Sequence, residues 1–539
     1  MPKNPRPKNI GLLFEHYAGA PAPEWHLDIP FSIAPDTRTH DATSLANLVS
    51  DMSGRLKAAG LRRGDRVALV KNNHLDTIVL AAAVARLGAL PAMITSTFDS
   101  ETLARMMPRL EPKLLVASEE VLGAADRAGI KLVDKSTRVV CVDGAPDSPS
   151  GVTPLAEFAG ADVPQPDIVD NSEPMLCTHT SGTTGVPKFV AHSANTLLGV
   201  LSKLETLRIP FLSTRPDDTI ASCIAFVHSR AVTWTFAQFA LPPAKAVVLS
   251  QADPSTVVET LSKHRPTTLE ACPNIYQLWE HLIRTNPELF THIRAYLSTF
   301  DAIHPSTVRA FMAATKRRGA VWGQSWGQSE IGPATLAVYP KRKVMRSEGS
   351  RGGPITNNVG RPIPFVTRIR VVDPETRKPK RRGQRGLVLI RTKGRCLTYL
   401  GEPERHREKD WNGWWNTGDI GVHTRTGSLE ILDREVDSIP GMSSLELESL
   451  LIERLDPVTE AIVLGNPNGL PLPVISTYDG SPLDPQEWRR ATADLPELDE
   501  PRVIPWEDFP RTGTWKVRRP QLRNRMLNSE ETFGTGRWT

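Results

Sequence analysis

An α/β fold is predicted by three features of the chain. Through the N-terminal part, strands alternate with amphipathic helices, which argues for parallel α/β layers. Between about 355 and 435 the texture changes to short alternating strands with Gly and Pro turns, the pattern of a β-rich subdomain. After Asp433-Arg434 that texture stops, and the last ~100 residues have the size of a small α/β domain. With 539 residues, 40% apolar and 23% charged, the chain has ample material for such cores and is neither fibrous nor wholly disordered.

The elements follow in order. Residues from Ser44 to Leu56 read as an amphipathic helix, Gly64-Asp65 as a turn, and Arg66 to Val70 as a strand. A second helix over 77–87 ends near Gly88, and the cycle repeats with strands at Lys113–Ala117 and Thr137–Val142. Later strands are expected at Arg368–Val372 and Gly386–Ile390. Between them lies a basic cluster, Arg377 to Arg385, with no interleaved aromatic residues; it reads as a solvated turn rather than a nucleic-acid surface.

Charge and cysteine usage narrow the class. Lys plus Arg is 65 against 60 acidic residues, a net +5 that suits anionic small molecules but does not argue for nucleic acid. Five scattered cysteines without CxxC or Cys/His ligand spacing exclude a disulfide framework or structural zinc and fit a reducing cytoplasm. The basic N-terminus leads into no signal-type apolar run. The most apolar window, Thr77 to Pro91, is broken by Arg86 and Pro91 and too short to span a bilayer.

Four segments carry chemistry. Thr178-His-Thr180-Ser181-Gly182-Thr183-Thr184-Gly185-Val-Pro187-Lys188 concentrates hydroxyls, glycines and a lysine, the makings of a polyphosphate cradle. It is not a P-loop of the kinase and GTPase type, because Pro187 and Phe189 stand where that motif needs Gly and Ser or Thr. In Trp326-Gly327-Gln-Ser329-Glu330 the aromatic can cover a purine face while Ser329 and Glu330 meet phosphate and a hard cation. Gly413-Trp-Trp-Asn-Thr-Gly418-Asp419, with Asp433-Arg434 after it, offers a carboxylate for a ribose diol and an arginine beside it. Pro510-Arg-Thr512-Gly513-Thr-Trp515-Lys516 places a lysine in the small domain.

In this order and spacing, and with Gly60-Leu-Arg-Arg-Gly64-Asp65, Val359-Gly360-Arg-Pro362 and Glu460-Ala-Ile-Val-Leu-Gly465, the segments resemble the adenylate-forming superfamily of acyl-CoA synthetases, adenylation domains and luciferases over nearly the whole chain. The resemblance implies a large N-terminal domain of stacked parallel-type sheets plus a β-barrel subdomain (1–433, barrel about 355–433), a hinge at 434–437 and a small mobile α+β lid domain at 438–539. It implies ATP and Mg²⁺ as cofactors. Thr180, Ser181, Gly182, Thr183, Thr184, Gly185 and Lys188 would hold the β/γ-phosphates. Trp326 would lie against adenine, beside the segment Asp301-Ala302, with Gly327 and Ser329 adjoining. Asp419 and Arg434 would contact ribose, and Glu330 with Thr180 would hold the metal. Lys516 would bridge the acyl carboxylate and the α-phosphate, and His228 would gate an acyl pocket lined also by Trp234 and Gly327.

The reaction so implied is activation of a carboxylic acid to an acyl-adenylate with release of pyrophosphate, followed by transfer to CoA or a carrier-protein thiol. Nucleic acid and a membrane span are not expected, and a homodimer is an allowed assembly. The chain departs from the family's pattern at three places. Val436 stands at a polar hinge position and the loop from Asp437 to Glu446 is short; Trp515 precedes the lysine where glycine is usual; Phe300-Asp301 replaces Gly-Gly. All bear on the second step and raise adenylation alone, with the adenylate handed to another protein, as an alternative. The cluster of Trp234, Trp322 and Trp326 suggests a bulky apolar or aromatic acid of a natural-product pathway. Two other classes remain: a non-catalytic adenylate-binding protein, and a hydrolase built on Gly323-Gln-Ser325-Trp-Gly327 with Asp419 and His423.

Overall fold

The computed structural model describes residues 8–143, 151–180, 186–346, 358–434, 439, 443–512 and 515–528. Two large sheets carry the N-terminal part. The first has eight strands, with Leu90–Thr95, Arg66–Lys71, Leu114–Ala117, Arg138–Cys141 and Val152–Pro154 in parallel order. Its other edge is made by Pro174–His179, Phe189–Ser193 and Thr398–Leu400, the last two antiparallel. In the second sheet Lys245–Val248, Thr219–Cys223, Thr268–Ala271, Ala295–Ser298 and Val321–Gln324 run parallel, as the alternation predicts.

Capping and burial explain the first elements. The helix expected from Ser44 spans Ala42–Ala58 and starts two residues earlier, because Asp41 and Ser44 form a reciprocal capping box. The next helix, Asp76–Arg86, is buried at every residue. Its charged ends survive burial by pairing: Asp76 meets Lys71 at 2.6 Å and accepts the Ser32 N–H at 2.9 Å, and Arg86 meets Glu15. This helix shares one apolar cluster with Val67, Leu69 and Met93 of the first sheet, Ile220 and Val248 of the second, and Trp234 and Phe236 of the helix Ser229–Ala240. The two sheets are therefore stacked on a common layer of helices.

The β-rich stretch is continuous with the second sheet. From Val321–Gln324 the path turns antiparallel through Thr335–Pro340, Asn358–Pro362, Leu429–Arg434, Trp414–His423, Arg385–Thr392 and Thr367–Val372. The basic cluster lies in the exposed connection between the last two, as a solvated turn should. After Asp433 a separate three-stranded sheet forms from Val458–Leu464, Leu472–Thr477 and Arg502–Val503. This sheet and the helix Ser444–Arg454 before it meet the rest where Asn274 Nδ2 donates to Glu460 Oε2 at 3.0 Å and where His304 Nδ1 lies 3.0 Å from Ser449 Oγ of that helix. All five cysteines are free and buried. No described helix is long and apolar enough to cross a membrane.

Candidate active site

The segments singled out in the sequence gather beyond the carboxyl ends of the parallel strands, where open α/β sheets place their ligand crevices. The loop from Thr180 to Lys188 joins the strands Pro174–His179 and Phe189–Ser193. Its neck is closed by two bonds: Thr180 N–H donates to the Lys188 carbonyl at 3.0 Å, and Lys188 N–H donates to Thr180 Oγ1 at 3.0 Å. Ser181, Gly182, Thr183, Thr184 and Gly185 lie outside the described residues, as do Gly513 and Val436. The same clasp closes the C-terminal loop, where Thr512 N–H donates to the Lys516 carbonyl at 2.8 Å and Lys516 N–H to Thr512 Oγ1 at 3.1 Å. Each clasp fixes the point from which a lysine side chain leaves its loop.

Both lysines line one cavity of about 310 Å³, together with Glu330, His228 and Arg434. Burial pushes the Lys188 ammonium down to about 8, and neighbouring Lys409 works in the same direction against Glu330. Lys516 Nζ lies 3.9 Å from Asp301 Oδ1, which also accepts the Ala302 N–H at 3.0 Å. Glu330 is buried, and the Tyr399 hydroxyl donates to its Oε1 at 2.5 Å. It sits in the turn of a hairpin in which Gly327 and Gly332 approach so closely that a Cβ on Gly327 would sit 2.0 Å from the Gly332 carbonyl oxygen. Glycine is obligatory there.

Asp419 and Arg434 face each other across antiparallel strands. Gln328 Nε2 donates to Asp419 Oδ2 at 3.1 Å and to the Thr417 carbonyl at 2.8 Å, while Arg434 Nε lies 3.7 Å from Asp419 Oδ1. Burial raises the Asp419 carboxyl above its usual range, with Arg434, Lys516 and Lys409 opposing. Trp326, Asp301 and Ala302 line an adjoining cavity of about 180 Å³ that Asp419, Arg434 and Lys516 also border.

His228 caps the helix Ser229–Ala240. Its Nδ1 accepts the Arg230 N–H at 3.0 Å, so the proton sits on Nε2, which donates to Ser329 Oγ at 3.0 Å. Burial drives its pKa down to about 3, with His179 and Lys516 pushing the same way, and the ring is neutral at pH 7. The Phe300 ring meets it edge-on at 5.0 Å. Phe300 and Trp515, the two bulky residues at positions where glycine was expected, have φ of +83° and +65°, the left-handed region that favours glycine. The chain keeps the glycine backbone without the glycine.

Deeper in the larger cavity the wall is charged. Arg230 lies 2.7 Å from Glu205 and 2.8 Å from Glu270, and its Nε donates to Glu270 Oε1 at 3.0 Å. Thr299 Oγ1 donates to the same Glu270 oxygen at 3.2 Å.

A family model described as AMP-binding enzyme matches residues 22–400. The chain belongs to the AMP-binding enzyme family. It is an ATP-dependent adenylate-forming enzyme. Among curated relatives, it is 35% identical over 536 residues to the 3-amino-2-hydroxy-4-methoxybenzoate diazotase of Streptomyces cremeus, covering 95% of this chain and 94% of that one. It is 26% identical over 510 residues to 4-coumarate–CoA ligase 3 of Oryza sativa subsp. japonica, covering 91% and 88%. The fold is similar to that of ATP-bound MatB from Rhodopseudomonas palustris (TM-score 0.75, 21% identity, 97% of this chain and 100% of that one). It is likewise similar to that of the anthranilate CoA ligase AuaEII with anthranoyl-AMP (TM-score 0.78, 19% identity, 97% and 98%).

For an AMP-binding enzyme, two sequence expectations need correction. Ser325 is no nucleophile elbow: its Oγ donates to the Thr335 carbonyl at 2.7 Å, and Asp419 is engaged by Gln328 rather than by a histidine. The three tryptophans do not cluster. Trp322 is fully buried, stacked on Tyr296 at 5.4 Å with its Nε1 donating to Ser298 Oγ at 3.0 Å. Trp326 borders the smaller cavity, so only Trp234 of the three lines the larger one, as His228 and Gly327 also do. The sequence reading missed Glu205, Arg230, Gln238 and Glu270, which come from three elements and form no local motif.

Proposed function

We propose that this enzyme joins an oxyanion to AMP in the larger cavity and uses the adenylate to diazotise an aromatic amine. The observation that carries adenylation is the convergence of Lys516, Glu330, Lys188 and Arg434 on one cavity, although they come from widely separated segments. Lys188 and the Thr180 hydroxyl would hold the β- and γ-phosphates, Trp326 would cover adenine, and Asp419 with Arg434 would grip the ribose. Lys516 would neutralise the α-phosphate and the attacking oxygen together, since two anions must approach in line. Glu330 suits Mg²⁺, a hard cation that takes one or two protein carboxylates and fills its shell with substrate phosphate oxygens and water. Bound there, Mg²⁺ would shield charge on the phosphate oxygens.

The second step follows from the diazotase relative, which matches this chain nearly end to end. Forming an aryl diazonium requires a second nitrogen at the oxidation level of nitrite. A nitrite oxygen attacks the α-phosphorus and pyrophosphate leaves, giving a nitrosyl–AMP anhydride. The aryl amine attacks its nitroso nitrogen and AMP departs; both nitrogen-bound protons then move to the nitroso oxygen, and loss of water leaves the diazonium, with no net redox change. His228, neutral and donating to Ser329, would close the cavity without adding charge beside the adenylate.

The ligase relatives favour a second reading, that of acyl-CoA synthetase: the carboxylate of a bulky aromatic acid is adenylated and passed to CoA, a carrier thiol or a partner enzyme. Exchange of labelled pyrophosphate into ATP separates the two. Nitrite-dependent exchange, with an azo dye formed when an aminobenzoate and a coupling phenol are added, is the expected result. Exchange that needs an aromatic acid but not nitrite, with acyl-CoA as product, would overturn it in favour of the ligase.

A further inference from the structure

We infer that the inner wall of the larger cavity selects aromatic substrates by a hydrogen-bond-donating amine, with Glu205 and Gln238 as the accepting residues. Arg230 lies on this wall between two carboxylates, 2.7 Å from Glu205 and 2.8 Å from Glu270. The three side chains together carry a net charge of −1 if both acids are ionised. Glu205 ends the helix Ser202–Glu205 with its side chain 18% exposed toward the cavity it lines. Burial and the nearby Glu270 carboxylate raise its pKa, and a donor presented by a substrate would relieve both.

An independent observation points the same way. Gln238 is 3% exposed and lines the cavity; its Nε2 donates to the Trp234 carbonyl at 3.1 Å, which fixes the amide, and its Oε1 has no partner. Buried acceptors without donors are uncommon because they lose water and gain nothing in exchange. Here such acceptors line a cavity of about 310 Å³, large enough for a substituted benzene ring. A ring bearing –NH₂ satisfies them, a plain ring leaves them unpaired, and a ring bearing a second carboxylate meets net negative charge.

This inference rests on the reading that the cavity holds the aromatic substrate, but not on which step consumes it. Its test is therefore binding without turnover. The full-length enzyme, saturated with AMP and without nitrite or CoA, is titrated with benzoate, isophthalate and the three aminobenzoates by calorimetry. The expected result is that at least one aminobenzoate binds ten-fold or more tighter than benzoate, with isophthalate weakest. Gln238→Leu and Glu205→Gln should each bring the aminobenzoate-to-benzoate ratio toward unity; the first leaves the Arg230 ion pairs intact, should the second disturb folding. Equal affinity for benzoate and all aminobenzoates, an unchanged ratio in Gln238→Leu, or binding of none of these acids would overturn it. A failure of nitrite-dependent exchange would leave this result standing, so the two ideas fail separately.

Discussion

The two halves of the cavity are built differently. On the nucleotide side, each group sits in a short motif that the backbone itself positions. Asp419 and Arg434 are cross-strand partners, Glu330 sits in the turn of a two-glycine hairpin, and Lys188 and Lys516 each end a loop clasped by a threonine. On the substrate side, Glu205, Arg230 and Glu270 come from two helices and a strand, and meet only because the sheets stack. On the proposed reading, chemistry common to every turnover would be carried by rigid local geometry, whereas selectivity would be left to tertiary packing.

That contrast can be broken most severely at Lys516. Lys516→Ala should lower pyrophosphate exchange by about 10² or more, the scale for losing a preorganised charge at the transition state. ATP affinity, read by calorimetry, should stay within ~3-fold, because Lys188 and Arg434 still supply positive charge to the same cavity. Unchanged exchange would remove it from the reaction. Asp419→Asn comes next. The amide keeps the shape but loses the charge facing Arg434, and a charge-assisted bond of about 1.5–3 kcal/mol predicts a ~10–100-fold rise in the KM for ATP. An equal fall in kcat at constant KM would instead put Asp419 in the chemical step.

The same contrast explains what was legible. The alternating strands and helices follow from periodicity along the chain, while Glu330, Asp419, Arg434, Lys516 and His228 were picked out through the resemblance to the adenylate-forming superfamily; the structure gathers them. The Arg230 cluster was invisible because Glu205 and Glu270 are 65 residues apart, and a lone glutamate on a helix reads as surface. The tryptophans misled for the opposite reason. Trp322 looks like a pocket residue by type, yet its strand turns it into the apolar core against Tyr296. Burial depends on which face of a sheet a residue occupies, and two parallel strands covered on both sides show no alternation to reveal it.

Lys188 allows a milder perturbation through pH. Its ammonium is depressed to about 8 by burial, so in the free enzyme it loses its proton as pH rises from 7 to 9 and the phosphate site loses positive charge. The kcat/KM for ATP, which reports the free enzyme, should fall on that limb by up to about ten-fold per pH unit. Lys188→Arg, which cannot deprotonate in this range, should flatten the limb. An identical limb in the variant would assign it to another group.

The smallest effect concerns Phe300, which lies between the two halves and has φ of +83°. A side chain with a Cβ in that region costs about 1–2 kcal/mol relative to glycine. Phe300→Ala and Phe300→Gly both remove the ring that meets His228, but only the second also removes the Cβ. Glycine restores about 0.5–1 kcal/mol of unfolded-chain entropy cost against this gain. The glycine variant should therefore be more stable than the alanine variant by about 0.5–1 kcal/mol in urea at equal m-value, the reverse of their order at an ordinary position. Alanine at least as stable as glycine would mean that the backbone relaxes out of the left-handed region once the ring is gone. The conformation would then be imposed by the phenyl packing against His228 rather than by the segment that carries Asp301 to Lys516.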